Sequence, residues 1–494
     1  MQQLASAENK QQLDAETRTN LGFPSMVLME QAAEACWRIV KQRLPSAEGI
    51  DTKTVQIVIA AGSGNNGGDG LSIARRAVHE GYGVSVVHKG SKWKDLPARQ
   101  MQMLEAYSVP CFDWESDPES CIEAFAGADC IVDALLGVGA SRPLAGDLLS
   151  MVQAITRAKE LNPRLLIAAI DLPSGLPAGA GHVSVCADVT AAIIPADIQL
   201  FAPAVRQRSG QIAFADAGFP PSAVSALETY TLLEESDIPQ LQVPIAQSAY
   251  KGSRGHLCIY AGSSRYHGAA VLAASAAEQG PAGRVTVSVD PEIDAVIRSH
   301  LTATVIQSSE DMPPHGTRAL LIGPGWDTNT QRVDLLARLL QLGLPAVIDG
   351  DGLTLLQQLA PQRSGDDPVN WVLTPHPGEL ARLAGVSVPE VMQNPVSPAH
   401  TAAQRYRAVV VAKSHVTYIV HPDAGVYVVD GMEPNLATAG SGDVLAGCIA
   451  GEAAADGDVL RAAKIGVLRH LVAGRSLGLA SARQLPRLLG GRTS

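Results

Sequence analysis

Short, nearly unbroken apolar runs rich in Val and Ile, many followed by a turn glycine, recur along the whole chain. "VQIVIAA" (55–61), "GVSVVH" (83–88), "CIVDALLG" (130–137), "LLIAAIDLP" (165–173) and "VTAAIIPA" (189–196) occupy the first half. Runs of this length and composition suit strands covered on both faces. Their alternation with helix-like segments argues for a doubly wound parallel sheet, an α/β architecture. The second half repeats the pattern in "HLCIYAG" (256–262), "RVTVSVD" (284–290), "ALLIGPG" (319–325), "PAVIDGDGL" (345–353), "WVLTPHPGE" (371–379) and "AVVVAKSHVT" (408–417). "VTYIVHPDAGVYVVD" (416–430) then reads as a hairpin. Between the halves, "EESDIPQLQVPIAQSAYKGSRG" (234–255) loses periodicity and gains Pro, Ser and acidic residues. The expected organisation is a domain over 1–229, a linker over 230–245 and a second domain over 246–494.

A length of 494 residues gives each domain room for a sizeable core. The net charge of −11, without a lysine or arginine run, argues against a nucleic-acid surface, because neutralising phosphates needs a basic face. No apolar run approaches a membrane span, and "MQQLASAENKQQLDAET" lacks the apolar core of a signal peptide. The seven cysteines show no CxxC and read as buried, reduced thiols. A cytoplasmic enzyme is expected, one that meets small molecules and further copies of itself as a homo-oligomer, with no nucleic-acid or membrane partner.

The chemistry concentrates where strands end. "AAGSGNNGGDGL" (60–71) contains a literal GxGxxG at Gly62, Gly64 and Gly67. A dinucleotide fold places an acid after the second strand to grip the ribose, but here that strand ends "VVHKGSK". A lone GxGxxG is equally compatible with a strand-to-helix turn that binds nothing. Its polar content points further: glycines at a helix start expose N–H groups to an anion, and Asn65, Asn66 and Asp69 add hard oxygens. "VDALLGVGASRPLAG" (132–146) and "IDLPSGLPAG" (170–179) bring Asp133 and Asp171 to the same carboxyl edge of the sheet.

These motifs, with "SMVLMEQAA" (25–33), resemble the NAD(P)H-hydrate epimerase family over about residues 1–220. The resemblance implies a Rossmann-like sheet that binds hydrated nicotinamide dinucleotide through Asn65, Asn66, Gly67, Gly68 and Asp69. It adds the loop Gly137, Val138, Gly139, Ala140, Ser141, Arg142 and Pro143. It also implies a potassium ion (K⁺) on Asn66, Asp133 and Ser174, and Asp171 as the acid–base group at C6 of the ring. Lys89 is a second candidate, with a solvated surface lysine as the plainer reading. Interconverting the R and S hydrates needs a site that tolerates a flat iminium and moves protons.

In the second half, "NLATAGSGDVLAGCIAG" (435–451) sets Asp443 behind Gly440 and Gly442 at the start of a helix packed through small residues. An N-cap aspartate is the plain alternative, although capping does not need the bunched glycines and serine. The stretch resembles the GxGD of the ribokinase-like fold. With "KGSRGHLCIYAGSSRYHGAAVLAA" (251–274), "IGPGWD" (322–327), "IDGDGL" (348–353), "TPHPGE" (374–379) and "AKSHVT" (412–417), it is similar to that fold's NAD(P)H-hydrate dehydratase branch. The resemblance implies a second, ribokinase-like α/β domain over about 245–490. Asp443 would be the base; Ala269, Gly325 and His376 would contact the hydrate. Lys413, Ser414, His415, Val416, Thr417 and Gly442 would hold ADP or ATP, with Mg²⁺ on the polyphosphate and Asp349 and Asp351 as outer contacts. His376, between two prolines, reads equally as a turn residue. "GPGWD" departs from the family's GPGLG, and "AKSHVT" lacks the usual Gly after Lys. A ribokinase-type small-molecule kinase with a scaffolding first domain is the rival reading; it predicts a stable phosphorylated product.

Overall fold

In the computed structural model, which describes residues 1–44, 52–90, 92–139, 142–176, 182–227 and 229–490, the apolar runs form strands of two separate units, Gln2–Tyr230 and Thr231–Ser494. The first unit's main sheet has seven strands. In spatial order they are Cys111–Asp113, Gly83–His88, Gln56–Ala61, Cys130–Ala134, Leu166–Ile170, Val189–Ile193 and Gln211–Ala215. Every pairing is parallel. Alternate residues of the Gln56–Ala61 strand feed different cores, Ile57 and Ile59 on one face and Val58 and Ala60 on the other. Strand order reverses between Gln56–Ala61 and Cys130–Ala134, and doubly wound sheets open a crevice at such a reversal.

The second unit has the same logic. From one edge its strands run Val305–Ser308, Arg284–Val289, His256–Tyr260, Ala319–Ile322, Ala346–Ile348, Trp371–Leu373 and Ala408–Ala412, all parallel. Val416–His421 and Gly425–Asp430 continue antiparallel. The reversal falls between His256–Tyr260 and Ala319–Ile322. Helix Ser441–Asp456 packs against helix His267–Ala277 through alanines such as Ala446, Ala450, Ala270 and Ala273, all fully buried. Small side chains there let the two helices approach closely over the sheet.

Several expectations need correction. "AKSHVT" is not the end of one long strand: a turn at Lys413–His415 separates Ala408–Ala412 from Val416–His421, and Ala408–Ala412 pairs antiparallel with the first strand of the expected hairpin, Val416–His421 with Gly425–Asp430. Residues 230–245 are not wholly a linker. Tyr230–Leu232 is a strand paired in parallel with Gly425–Asp430, and Glu235–Leu241 forms two short helices whose Ile238 and Leu241 join the second core. Cys111 and Cys186 are exposed, unlike the other five cysteines; Cys111 lies on the short strand at the edge of the first sheet.

Candidate functional site

The crevice of the first unit is a cavity of about 800 Å³ at the carboxyl ends of its strands. Its floor depends on bare backbone. A Cβ on Gly62 would lie 1.8 Å from the Leu135 carbonyl oxygen, and one on Gly67 would lie 1.7 Å from that of Gly62. Helix Asn65–His79 starts at Gly64 with no side-chain cap, and the first helical bond at its start runs from Gly68 N–H to Gly64 O. The amides of Asn65, Asn66 and Gly67 therefore lie ahead of the helix's bonded amides, where a helix N-terminus receives anions. Asn65, Asn66 and Asp69 line the cavity; Gly67 and Gly68 are buried behind them.

Asn66, Asp133 and Ser174 converge. Ser174 donates its hydroxyl to Asp133 Oδ1 at 2.6 Å and its N–H to Oδ2 at 2.7 Å. Leu136 N–H donates to Ser174 Oγ at 2.9 Å, and Asn66 Nδ2 donates to the Leu136 carbonyl at 2.8 Å. Burial pushes the Asp133 carboxyl up to about 6 against these hydrogen bonds. Asn66 Oδ1 is buried without a partner among the described residues, which leaves an oxygen to be satisfied.

Asp171 follows the strand Leu166–Ile170 with φ +65°, a left-handed conformation that Asp tolerates better than most side chains. It borders the cavity, and its carboxylate pairs with Lys10 at 2.6 Å. Burial, reinforced by the Asp171 charge, raises neighbouring Asp69 well above the ordinary carboxylate range. Gly137, Val138 and Gly139 line the cavity; Ala140 and Ser141 lie outside the described residues, and Arg142 and Pro143 are outside the cavity lining. Lys89 lines the wall as well, paired with Asp147 at 3.4 Å. Sequence reasoning missed Lys10, Lys92 and Lys94, which add positive charge to the same wall. The run "HKGSKWK" carried the signal for Lys92 and Lys94; nothing in the sequence pointed to Lys10.

In the second unit, Gly440 (φ +91°) opens helix Ser441–Asp456 without a side-chain cap. Ser441 N–H returns to Thr438 O and Val444 N–H to Gly440 O, while the amides of Gly442 and Asp443 between them have no backbone acceptor among the described residues. A Cβ on Gly442 would sit 3.5 Å from Lys413 Nζ, so the ammonium stands beside these amides. Lys413 also pairs with Asp349 Oδ1 at 2.6 Å, the oxygen that accepts from Thr374 Oγ1 at 2.6 Å. Burial opposes the Lys413 charge, but Asp349, Glu379 and Asp443 outweigh it and raise its pKa. Burial, then the charge of Asp349, pushes Asp443 up to about 7, with Lys413 pulling the other way. A carboxyl of this kind beside an anion-binding nest is matched to taking a proton at neutral pH.

The remaining expected residues separate into those near the reversal and those engaged in the fold. Gly325 (φ +56°) packs against Ala269, whose Cβ lies 2.9 Å from where a Gly325 Cβ would stand. Trp326, the added bulk of "GPGWD", is fully buried against Tyr260, with Arg332 stacked on its ring at 4.7 Å. Asp351 accepts from Asp327 N–H at 2.8 Å and so steadies that loop. His376 caps helix Pro377–Ala384: Nδ1 accepts from Gly378 N–H at 3.0 Å, while Glu379 accepts from His376 N–H at 2.8 Å. The turn role is thus present in the structure. Ser414 hydrogen-bonds Val416 across the turn; Val416 and Thr417 are buried on their strand, and His415 is partly exposed between them.

Two doubly wound sheets, each with glycine-bared amides and a buried carboxylate at strand ends, define a two-unit α/β enzyme. A family model described as NAD(P)H-hydrate dehydratase matches residues 257–489, and one described as YjeF-related protein N-terminus matches 25–196. The bifunctional NAD(P)H-hydrate repair enzyme Nnr of Coxiella burnetii is 33% identical over 92% of this chain and 90% of its own. That of Moorella thermoacetica is 31% identical over 95% and 92%. An ADP/ATP-dependent NAD(P)H-hydrate dehydratase from Bacillus subtilis, co-crystallised with ATP/Mg²⁺, superposes with a TM-score of 0.48 at 24% identity, covering 53% of this chain and 96% of that one. The chain belongs to the family of bifunctional NAD(P)H-hydrate repair enzymes, which join an epimerase to a dehydratase.

Proposed function

We propose that the first unit interconverts the R and S hydrates of NADH and NADPH, and that the second returns the S form to the intact coenzyme at the expense of ADP or ATP. The observation that carries the reading is Asp443, a carboxyl raised to about 7 beside the amides of Gly442 and Asp443 and the Lys413 ammonium. The C6 hydroxyl of the hydrate is a poor leaving group. Asp443 takes its proton as the oxygen attacks the terminal phosphoryl group, while the amide nest and Lys413 steady the charge on the transferring phosphate. Phosphate then leaves C6, a proton leaves C5, and the dihydropyridine returns. Gly325 and Ala269 shape the hydrate's side of the site, and the Lys413–Thr417 turn faces the nucleotide. His376 would meet the hydrate through the part of its ring that the cap leaves exposed.

In the first unit the dinucleotide's phosphates lie against the Asn65–Gly67 amides and the lysine-lined wall. The ring nitrogen expels the C6 hydroxyl to leave a flat iminium, and water returns to either face with Asp171 as the base. Asn66, Asp133, Ser174 and the Leu136 carbonyl fit a potassium ion, because the donors are hard oxygens and Asn66 Oδ1 is buried and unpaired among the described residues. Bound there, the ion would supply positive charge that orders substrate oxygens at the strand ends. Among the described residues no group of three His, Cys, Asp or Glu side chains is set to hold a metal. Magnesium would arrive on the nucleotide's phosphates, whose charge it screens, with Asp349 and Asp351 as outer contacts. No helix among the described residues is long and apolar enough to cross a membrane. Action on small metabolites in the cytoplasm, by a homo-oligomer, is part of the proposed reading.

The test is to incubate the protein with mixed R and S hydrates, Mg²⁺ and either nucleotide, and to follow absorbance of the reduced ring. Complete recovery is expected. Recovery that stops at one epimer's share refutes the role of the first unit; a stable phosphorylated product without reduced coenzyme refutes that of the second.

A further inference from the structure

Lys10 lies on the first helix, Ala7–Thr19, outside the region matched by the first unit's family model. The fold nevertheless brings its ammonium to 2.6 Å from Asp171 Oδ1 and 3.2 Å from the Ile193 carbonyl. Both side chains are about nine-tenths covered, at 12% and 10% exposure, and both border the cavity. Lys89, the other basic candidate at the cavity wall, is a third exposed and spends its charge on Asp147. Two other carboxyls near Lys10 are raised by burial, Asp197 up to about 6 and Asp69 well above the ordinary range. Lys10 and Asp171 therefore stand as a proton donor and a proton acceptor in contact, facing the volume where the hydrate would lie.

Resting on the epimerase reading, we propose that Lys10 is the acid of the epimerisation and Asp171 its base. The C6–O bond breaks with its electron pair leaving on oxygen, and the ring nitrogen's lone pair forms the iminium. A proton passes from Lys10 Nζ to the departing oxygen, which leaves as water. Water then adds to either face of C6 and gives a proton to Asp171. Transfer of that proton across the 2.6 Å contact resets the pair. No oxidant, reductant or nucleotide enters the cycle.

Lys10→Met and Lys10→Arg in the full chain test this, with R-to-S interconversion followed chromatographically in the absence of nucleotide. Lys10→Met is expected to lower kcat by about 100-fold or more while KM changes much less. Arginine keeps the positive charge but does not release its proton, so Lys10→Arg is expected to remain as slow. Oxygen exchange from labelled water into C6 should slow in parallel. Recovery of the wild-type rate in Lys10→Arg, or a Lys10→Met rate within about twofold of wild type, overturns the proposal. Thermal unfolding of the same preparations reports on the integrity of the first unit, which dehydration by the second does not test. Asp171→Ala separates the two roles. If it still interconverts the hydrates, Asp171 is not the base; if it is inactive while Lys10→Met is not, only the role of Lys10 fails; and a wild-type chain that does not speed interconversion above the uncatalysed rate overturns the epimerase reading itself.

Discussion

Replacing Asp443 with asparagine is expected to stabilise the second unit while removing its base. The partly buried Asp443 carboxyl is raised to about 7, whereas an unfolded chain ionises an aspartate near ~3.9. For an acid whose folded value is raised, the folded state holds a proton that the unfolded chain releases. Stability is therefore full below about pH 4 and falls as pH rises to about 7. At ~1.4 kcal/mol per pH unit, the cost is about 1.5 kcal/mol at pH 5 and about 4 kcal/mol at pH 8. Asparagine has nearly the same shape and no charge to desolvate. The variant should thus gain about 4 kcal/mol over wild type at pH 8 but only about 1.5 kcal/mol at pH 5. Urea unfolding of both proteins at the two pH values, without nucleotide, measures this directly. A gain that does not change with pH, or no gain at all, would refute the idea that burial and Asp349 hold Asp443 in its protonated form.

The same carboxyl sets the pH response of dehydration: the rate should rise with pH and level off above about 7, and at pH 6 it should be about a tenth of the plateau. A rate that is flat from pH 6 to 8 contradicts this. Lys413→Met removes the cation that pulls Asp443 down, so the half-maximal point of any residual activity should move to higher pH in the same assay. Gly62→Ala places a Cβ 1.8 Å from the Leu135 carbonyl oxygen and should cost about 3 kcal/mol or more in thermal or urea unfolding. Gly64→Ala meets no atom within 4 Å and should stay within about 0.5 kcal/mol of wild type. Asn66→Ala deletes the unpaired buried oxygen, and epimerisation should lose its response to added potassium; an undiminished response rejects that ion site.

The interior strands were legible because burial on both faces writes a continuous apolar run, as in Gln56–Ala61 and Ala319–Ile322. The edges were not. Cys111–Asp113 and Val305–Ser308 are short, partly exposed and polar enough to pass for loop, and Gln211–Ala215 is only half-buried. Proline and acidic residues at 234–240 suggested a linker, yet a Pro at a helix start and an acidic capping box are also how short helices begin. The aspartates at strand ends were readable, since a charge closing an apolar run has few structural reasons to be there. Lys10 was not, because it reaches Asp171 across 161 residues of sequence and its helix carries only a weak apolar stripe. The inward turn of Trp326 was hidden for a related reason: a residue's letter does not say which side of a glycine loop it will face.

The Gly62–Leu135 crossing has a practical bearing on redesign. Main chain rests on main chain there, so neither position 62 nor position 67 offers a side-chain vector for altering which damaged nucleotide is accepted. Libraries aimed at new substrates gain nothing by randomising the signature glycines. Diversity belongs at Lys92, Lys94 and Val138, which border the void while leaving the crossing untouched.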